Sequence, residues 1–162
     1  MDVSKITYTN KNFIKYKSNN LKIRTPPIKI PFGLEESYGK KILKLQLQDY
    51  KTDDNMKTFY EIVRNIETRN MIELGVDNNI YKSALYQKGD YPPLLTVKIE
   101  ERYGKMMCEL QPDKDDPLKT IYNLQRNEKL ILDLEFERVW EYKGKCGCII
   151  KVKKIICVKD SV

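Results

Sequence analysis

At 162 residues and 41% hydrophobic content, the chain can bury one good core and is too short for two comfortable ones. No apolar run approaches the roughly 18 residues of a membrane span, and the N-terminal "MDVSKITYTNKNF" lacks a signal-peptide core, so a soluble intracellular protein with reduced thiols is expected. Thirty basic against 23 acidic side chains leave a charge of +7, and there is no histidine, which removes the commonest general base, proton shuttle and metal ligand.

That charge suits a polyanionic partner through counterion release, although the Lys, Asn and Ile bias of an AT-rich genome accounts for it equally well. Residues 1–20 are polar and basic with scattered aromatics, and read as an arm or edge strand before a single domain over 21–162. In "LKIRTPPIKIPFG" the prolines Pro26, Pro27 and Pro31 break an alternating pattern, as in an edge strand followed by a bend. "KKILKLQLQDY" sets Leu43, Leu45 and Leu47 against Lys44, Gln46 and Gln48, the pattern of a half-buried strand.

The period then changes. Met56, Phe59, Val63 and Ile66 recur at three- and four-residue steps behind Asp53 or Asp54, which predicts a capped helix of about four turns. A short second helix reaching Leu74 and a strand over Tyr81 to Gln87 are expected next. "LLTVKIEERYGKMMCELQP" reads as two strands about a turn near Tyr103 and Gly104, with Leu95, Val97 and Ile99 facing Met106, Cys108 and Leu110. "DKDDPLKTIYNLQRNE" reads as a loop with a short helical piece.

The last third alternates most clearly. Leu130, Leu132, Leu134, Phe136 and Trp140 share one parity, and Asp133, Glu135, Glu137 and Glu141 the other. Pairing Tyr142 with Cys146 across a Lys143-Gly144-Lys145 loop places Trp140 opposite Cys148, Glu137 opposite Lys151 and Glu135 opposite Lys153. A bulge near Lys153 and Lys154 is then needed to return Ile155 or Ile156 to the core. Many short strands with one inserted helix predict a mainly β fold, an antiparallel barrel of the oligonucleotide-binding type, with a small β-sandwich as the alternative.

Four cysteines are the only soft metal ligands, and Cys146 and Cys148 lie one residue apart on a strand, a poor spacing for tetrahedral zinc. Inward-facing filler is the expected role, and no metal or cofactor is expected. The glycines form no phosphate-cradling loop, and the paired carboxylates Asp53 and Asp54, or Asp115 and Asp116, sit in turn-like or capping contexts. Nothing in this inventory supports an enzyme.

Aromatic and basic side chains do recur together, as single-strand binders require: rings stack on bases and cations follow the phosphates. Phe32 and Tyr38 accompany Lys40 and Lys41; Tyr81 adjoins Lys82; Tyr86, Lys88 and Tyr91 form a third group; Trp140 and Tyr142 lie beside Lys143 and Lys145.

Three segments, "FGLEESYGKKILKLQL", "YPPLLTVKIEERYGKMMCEL" and "VWEYKGKCGCIIKVKKIICV", resemble in that order a family of small single-stranded-DNA-binding proteins of large nucleocytoplasmic DNA viruses, similar to the replication binding protein of short-tailed phages. The resemblance spans about Phe32 to Val158 and implies an oligonucleotide-binding barrel. It also implies sequence-tolerant binding of single-stranded DNA in viral replication, recombination or repair, at replication sites in host cytoplasm or nucleus or packaged in virions. Matching positions are Phe32, Gly33, Tyr38, Lys98, Trp140, Tyr142, Gly144 and Lys151; Lys44 in the first segment joins the candidate interface.

The sequence departs from that pattern at Cys146 and Cys148, and it ends in Val-Lys-Asp-Ser-Val rather than an acidic, aromatic-capped tail; replication proteins are candidate partners, but the resemblance does not carry tail-mediated recruitment over to this sequence. An RNA-binding barrel, or a protein-interaction module of a virion or replication complex, are the alternatives; no membrane partner is expected.

Overall fold

The computed structural model describes residues 1–159. After a 3-10 turn at Val3–Lys5, β1 (Ile6–Tyr8) and β2 (Ile14–Tyr16) form a hairpin, and β2 continues into pairing with β3 (Asn19–Arg24). Ile6 and Ile14 are buried in the common core, so this segment is built into the sheet. Thr25, Pro26 and Pro27 interrupt the chain before β4 (Ile28–Ile30). The prolines have no N–H to donate, and Thr25 mends the ladder: its N–H donates to the Leu132 carbonyl at 2.9 Å while its hydroxyl accepts the Leu132 N–H at 3.0 Å.

A hairpin of β5 (Glu35–Ser37) and β6 (Lys40–Gln46) follows, with Leu43, Leu45 and Leu47 fully buried as their parity requires. The helix α1 spans Asp54–Leu74, 21 residues, with the Asp53 carboxylate accepting the Met56 N–H at 2.9 Å. Expected as two pieces, it is one, because no glycine or proline intervenes until Gly75 closes it in the left-handed region. The strand expected over 81–87 is instead two short pieces, β7 (Tyr81–Lys82) and β8 (Leu85–Tyr86).

The remaining strands are β9 (Leu94–Ile99), the small hairpin of β10 (Glu101–Arg102) and β11 (Lys105–Met106), β12 (Glu109–Gln111), and the long pair β13 (Glu128–Tyr142) and β14 (Lys145–Cys157). A 3-10 turn at Ile121–Asn123 is the helical piece of the preceding loop. The turn at Tyr103 and Gly104 lies where the sequence placed it, but the strands beyond it do not pair as expected. β9 takes β6 and β14 as neighbours, and β12 lies parallel to β14, so Leu95, Val97 and Ile99 do not face Met106, Cys108 and Leu110.

The ladder closes on itself. β13 pairs with both β3 and β4, β4 with β6, β6 with β9, β9 with β14, and β14 again with β13. With β3 and β4 counted as one interrupted strand, this is a five-membered ring. An odd ring cannot alternate direction throughout, and the odd seam is the parallel contact of β9 with β14 at Lys98 and Lys151.

The β13–β14 register corrects the sequence reading. The turn holds two residues rather than three, with Tyr142 opposite Lys145. Lys143 and Gly144 have φ of 48° and 76°, the double left-handed geometry of a type I′ turn, whose twist matches that of the flanking strands. Trp140 therefore pairs with Gly147, not Cys148. The expected bulge is present at Lys153, which lies between the pairs Leu134–Val152 and Asp133–Lys154, and Ile155 is buried. A second, unexpected bulge at Glu137 moves Lys151 opposite Glu135 and exchanges the faces beyond it: Val139 turns inward and Trp140 outward.

Phe136, Leu132, Ile150 and Val152 fill the barrel, and α1 adds Met56, Phe59, Val63 and Ile66 to the same core. A polar network pins the helix to the wall. The buried Glu67 carboxylate accepts the Ala84 N–H at 2.9 Å and hydroxyls of Ser83 and Tyr81, Asn70 donates to the Tyr81 oxygen at 3.1 Å, and Tyr8 donates to Asn70. Burial pushes the Glu67 carboxyl up, and the bonds from Ser83, Ala84 and Tyr81 oppose this only in part. A raised folded-state pKa means that the stability from this group is complete in acid and is lost as pH rises through the raised value. Urea unfolding across pH should therefore show Glu67→Gln gaining on the wild type as pH rises through that range; parallel profiles would mean that the carboxylate is not held this way.

Candidate nucleic-acid interface

On β6 the inward parity of Leu43 and Leu45 leaves Ile42, Lys44 and Gln46 pointing out, paired with Lys98, Thr96 and Leu94 of β9. This outer face is flanked by the hairpin of β5 and β6 and by the β13–β14 tip. Across the parallel seam, Ile149 and Lys151 of β14 continue it, and the bulge at Glu137 brings Trp140 onto it. Lys40, Thr96, Lys98, Trp140 and Ile149 line one groove.

Trp140 reaches that groove by lying across β14. A Cβ on Gly147 would stand 2.7 Å from Trp140 Cζ2 and 2.8 Å from Nε1, so the ring occupies space that only glycine leaves free. One edge of the ring rests on backbone while the residue stays partly exposed. A half-exposed indole over a backbone platform can stack a planar ligand.

The lysines on and beside this face fall into two groups. Lys41 is 2.8 Å from Glu36; Lys44 is 3.7 Å from Glu35 with its ammonium over the Phe32 ring; Lys151 lies between Glu137 at 2.8 Å and Glu100 at 3.3 Å. Burial lowers the Lys151 ammonium, but its two carboxylates more than offset this and hold it above the usual lysine range. Lys98 is different. Partial burial, then the charges of Lys40 and Lys151, press it below that range, with only a weak opposing pull from Glu100. Among the described residues neither Lys40 nor Lys98 is ion-paired. Two crowded ammonium groups, without counterions among the described residues, thus stand beside a partly exposed ring, an arrangement whose field favours an anion.

No protein-family model matches the chain, and no curated protein matches it in sequence. Solved structures do match in fold. A C-terminally truncated single-stranded DNA-binding protein of bacteriophage Enc34 aligns over 99% of this chain and 96% of its own at 14% identity and a TM-score of 0.57. The Enc34 protein in complex with single-stranded DNA aligns over 97% and 96% at 14% identity and a TM-score of 0.55. The single-stranded DNA binding protein gp2.5 of bacteriophage T7 covers 87% of this chain and 93% of its own at 6% identity and a TM-score of 0.55. The fold is an oligonucleotide-binding-type barrel. At these identities the likeness is one of architecture, and it meets the expectation of a mainly β barrel with one inserted helix.

The barrel brings Lys98 and Trp140 into one groove and Phe32 with Lys44 onto the adjoining part of the same face. Tyr142 and Lys143 stand together at the β13–β14 tip, the ammonium 5.2 Å from the ring centre. Lys145 is turned aside, donating to the Asn79 carbonyl at 3.0 Å, and Lys82 is exposed on β7 beside Gly147. Tyr91 is exposed on the loop before β9, where its carbonyl accepts from Gln87. Tyr38 is wholly exposed at the β5–β6 tip.

Tyr81 gives way. It is 3% exposed, its hydroxyl tied to Glu67 and Asn70, and its ring serves the core rather than a base. The sequence groups both Lys40 and Lys41 with Phe32 and Tyr38 and nominates Lys41, and the groove holds Lys40. Strand parity was the available signal, since Lys41 shares the side of Leu43 and Lys40 that of Lys44. Thr96 and Ile149, which the sequence did not single out, line the groove as well, while Arg138, whose Nε is buried without a hydrogen-bond partner, has its guanidinium 5.4 Å from the Phe13 ring centre.

Gly147→Ala should expel the Trp140 ring from its seat. The expected result is a shifted Trp140 emission spectrum and a loss of about 1–3 kcal/mol in chemical unfolding, the usual cost of forced overpacking. An unchanged spectrum would mean that the ring does not rest there.

Proposed function

We propose that this protein binds single-stranded DNA without sequence preference along the outer face of β6 and β9, and that it catalyses no reaction. The observation that carries this reading is the unpaired Lys40 and Lys98 beside the half-exposed Trp140 ring, on the second and third strands of the barrel. That is the face through which oligonucleotide-binding barrels take their ligands, between the loop that joins strands 1 and 2 and the loop that joins strands 4 and 5. Phosphates seat on the ammonium groups and bases on the indole, a division of labour that is indifferent to sequence.

A structure of similar fold, in complex with single-stranded DNA, supports the same ligand class. The sequence resemblance to binding proteins of large nucleocytoplasmic DNA viruses extends the proposal to replication, recombination or repair of a viral genome, at replication sites in the infected cell. Single-stranded RNA carries the same phosphates and stacking faces, so matched DNA and RNA oligonucleotides in competition report which sugar is preferred.

Fluorescence polarisation with a labelled poly-dT oligonucleotide across salt tests the proposal. The slope of log affinity against log salt should be about −0.7 per phosphate contact, and Lys98→Ala should flatten it by about that amount. Trp140→Ala should weaken binding by about 1–3 kcal/mol with the slope unchanged, in a protein shown by its unfolding curve to be folded. Salt-independent binding, or none, would remove the reading.

The pH dependence has a definite sign. Lys98 contributes to binding only while protonated, and burial with the charges of Lys40 and Lys151 depresses its pKa, so affinity should begin to fall at a lower pH than that at which ordinary lysines deprotonate. Lys98→Arg should move that fall to higher pH. Titration of affinity at constant ionic strength checks this.

A further inference from the structure

The sequence contains one pattern twice: Glu-Ser-Tyr-Gly-Lys at 36–40 and Glu-Arg-Tyr-Gly-Lys at 101–105. Both copies form the same two-residue hairpin, with Ser37 opposite Lys40 and Arg102 opposite Lys105. In each, the tyrosine and glycine are both left-handed: φ is 51° and 77° at Tyr38 and Gly39, and 52° and 76° at Tyr103 and Gly104. The first position of a type I′ turn favours Asn, Asp or Gly, because a Cβ there crowds the neighbouring carbonyl.

Tyrosine is a poor choice for that position, and its ring regains nothing within the protein. Tyr38 and Tyr103 are exposed at 102% and 106%, more than any other large hydrophobic side chain described. The turn does not require an aromatic residue either, since the third tip of this kind carries Lys143 at the equivalent position. Two strained and unpacked rings, repeated with the same flanking residues, are placed for something outside the chain.

Both tips also leave the barrel at the same end. β6 begins at Lys40 and β9 ends at Ile99, which pairs with Lys41, so the two hairpins extend side by side from one end of the β6–β9 ladder. Glu36 and Glu101, at the bases of the two hairpins, both act on the Lys41 ammonium. Lys40, which closes the first hairpin, also lines the groove that contains Lys98 and Trp140.

We propose that Tyr38 and Tyr103 are paired stacking fingers, which take bases of a single strand where it leaves the lysine-lined groove. This rests on the single-strand reading above and extends it to a second contact region. Nucleic acid fits the fingers better than a protein partner. Each ring is followed in sequence by Gly and Lys and preceded by Ser37 or Arg102, rather than by the apolar neighbours typical of a protein hot spot. Isolated rings with neighbouring cations are the pattern of base stacking along a charged track.

The test uses Tyr38→Asn, Tyr103→Asn and the double variant, since Asn suits the left-handed position and removes the ring. Thermal melting should show each variant as stable as the wild type or more so. Affinity for a long poly-dT oligonucleotide should fall by roughly 5-fold or more per ring, the low end of the stacking range. Tyr103→Phe should retain the wild-type affinity. Short oligonucleotides that fill only the groove should bind all variants alike, and a long oligonucleotide with abasic ends should bind wild type and double variant equally.

Wild-type affinity of both Asn variants for long poly-dT would overturn the proposal while leaving groove binding intact. So would an equal loss on the abasic oligonucleotide, which would show that the rings do not meet bases. If the wild type binds no oligonucleotide of any length, the single-strand reading itself fails, and the fingers fail with it.

Discussion

The double pairing of β13 holds this protein together. One edge of that strand takes β3 and β4 and the other takes β14, so its 15 residues close the ring and carry the core residues Leu130, Leu132, Leu134 and Phe136. A strand with neighbours on both edges cannot slide without inverting its faces against each of them. The two bulges are therefore permanent features of the ladder, and each has a separate effect. Lys153 lets Ile155 regain the core, and Glu137 turns the end of the hairpin over so that Trp140 looks outward.

The outer face depends on that inversion. Without the bulge at Glu137, Trp140 would keep the parity of Phe136, and the groove would offer charge without a ring. The position also requires Gly147, the only residue type that leaves room for the indole over the backbone of β14. Strand, bulge and glycine thus act together across the β13–β14 ladder that closes at the turn of Lys143 and Gly144.

Charge on this face is less free than the net +7 suggests. Glu35, Glu36, Glu100 and Glu137 engage Lys44, Lys41 and Lys151. The Lys44–Glu35 pair is partly exposed and open to screening by salt, whereas the Lys151 side chain is only 12% exposed between its two carboxylates and is held more firmly. Lys40 and Lys98 stand apart because they repel each other without such partners, which makes an incoming anion favourable there before any ion pair must open. The local arrangement of carboxylates, more than the count of lysines, decides where a polyanion first gains.

Much was legible in the sequence because it depended on short-range periodicity. Period two identified β6 and β13 with their inward leucines, period 3.6 identified the buried face of α1, and Asp53 marked its start. The proline pair marked the break after β3, and the glycines of the tight turns marked the hairpins. The class of barrel followed from this inventory, and the company of aromatic and basic residues nominated Trp140 and Phe32, whereas Lys98 came from the family resemblance alone. What the tertiary structure alone decided was pairing between distant strands and its irregularities: the parallel seam of β9 with β14, the burial of Tyr81 under Glu67 and Asn70 and the outward turn of Trp140. The reason is physical. A period reports which side of its own strand a residue occupies, but a bulge is set by what the neighbouring strand demands, and one extra residue reverses every side chain beyond it.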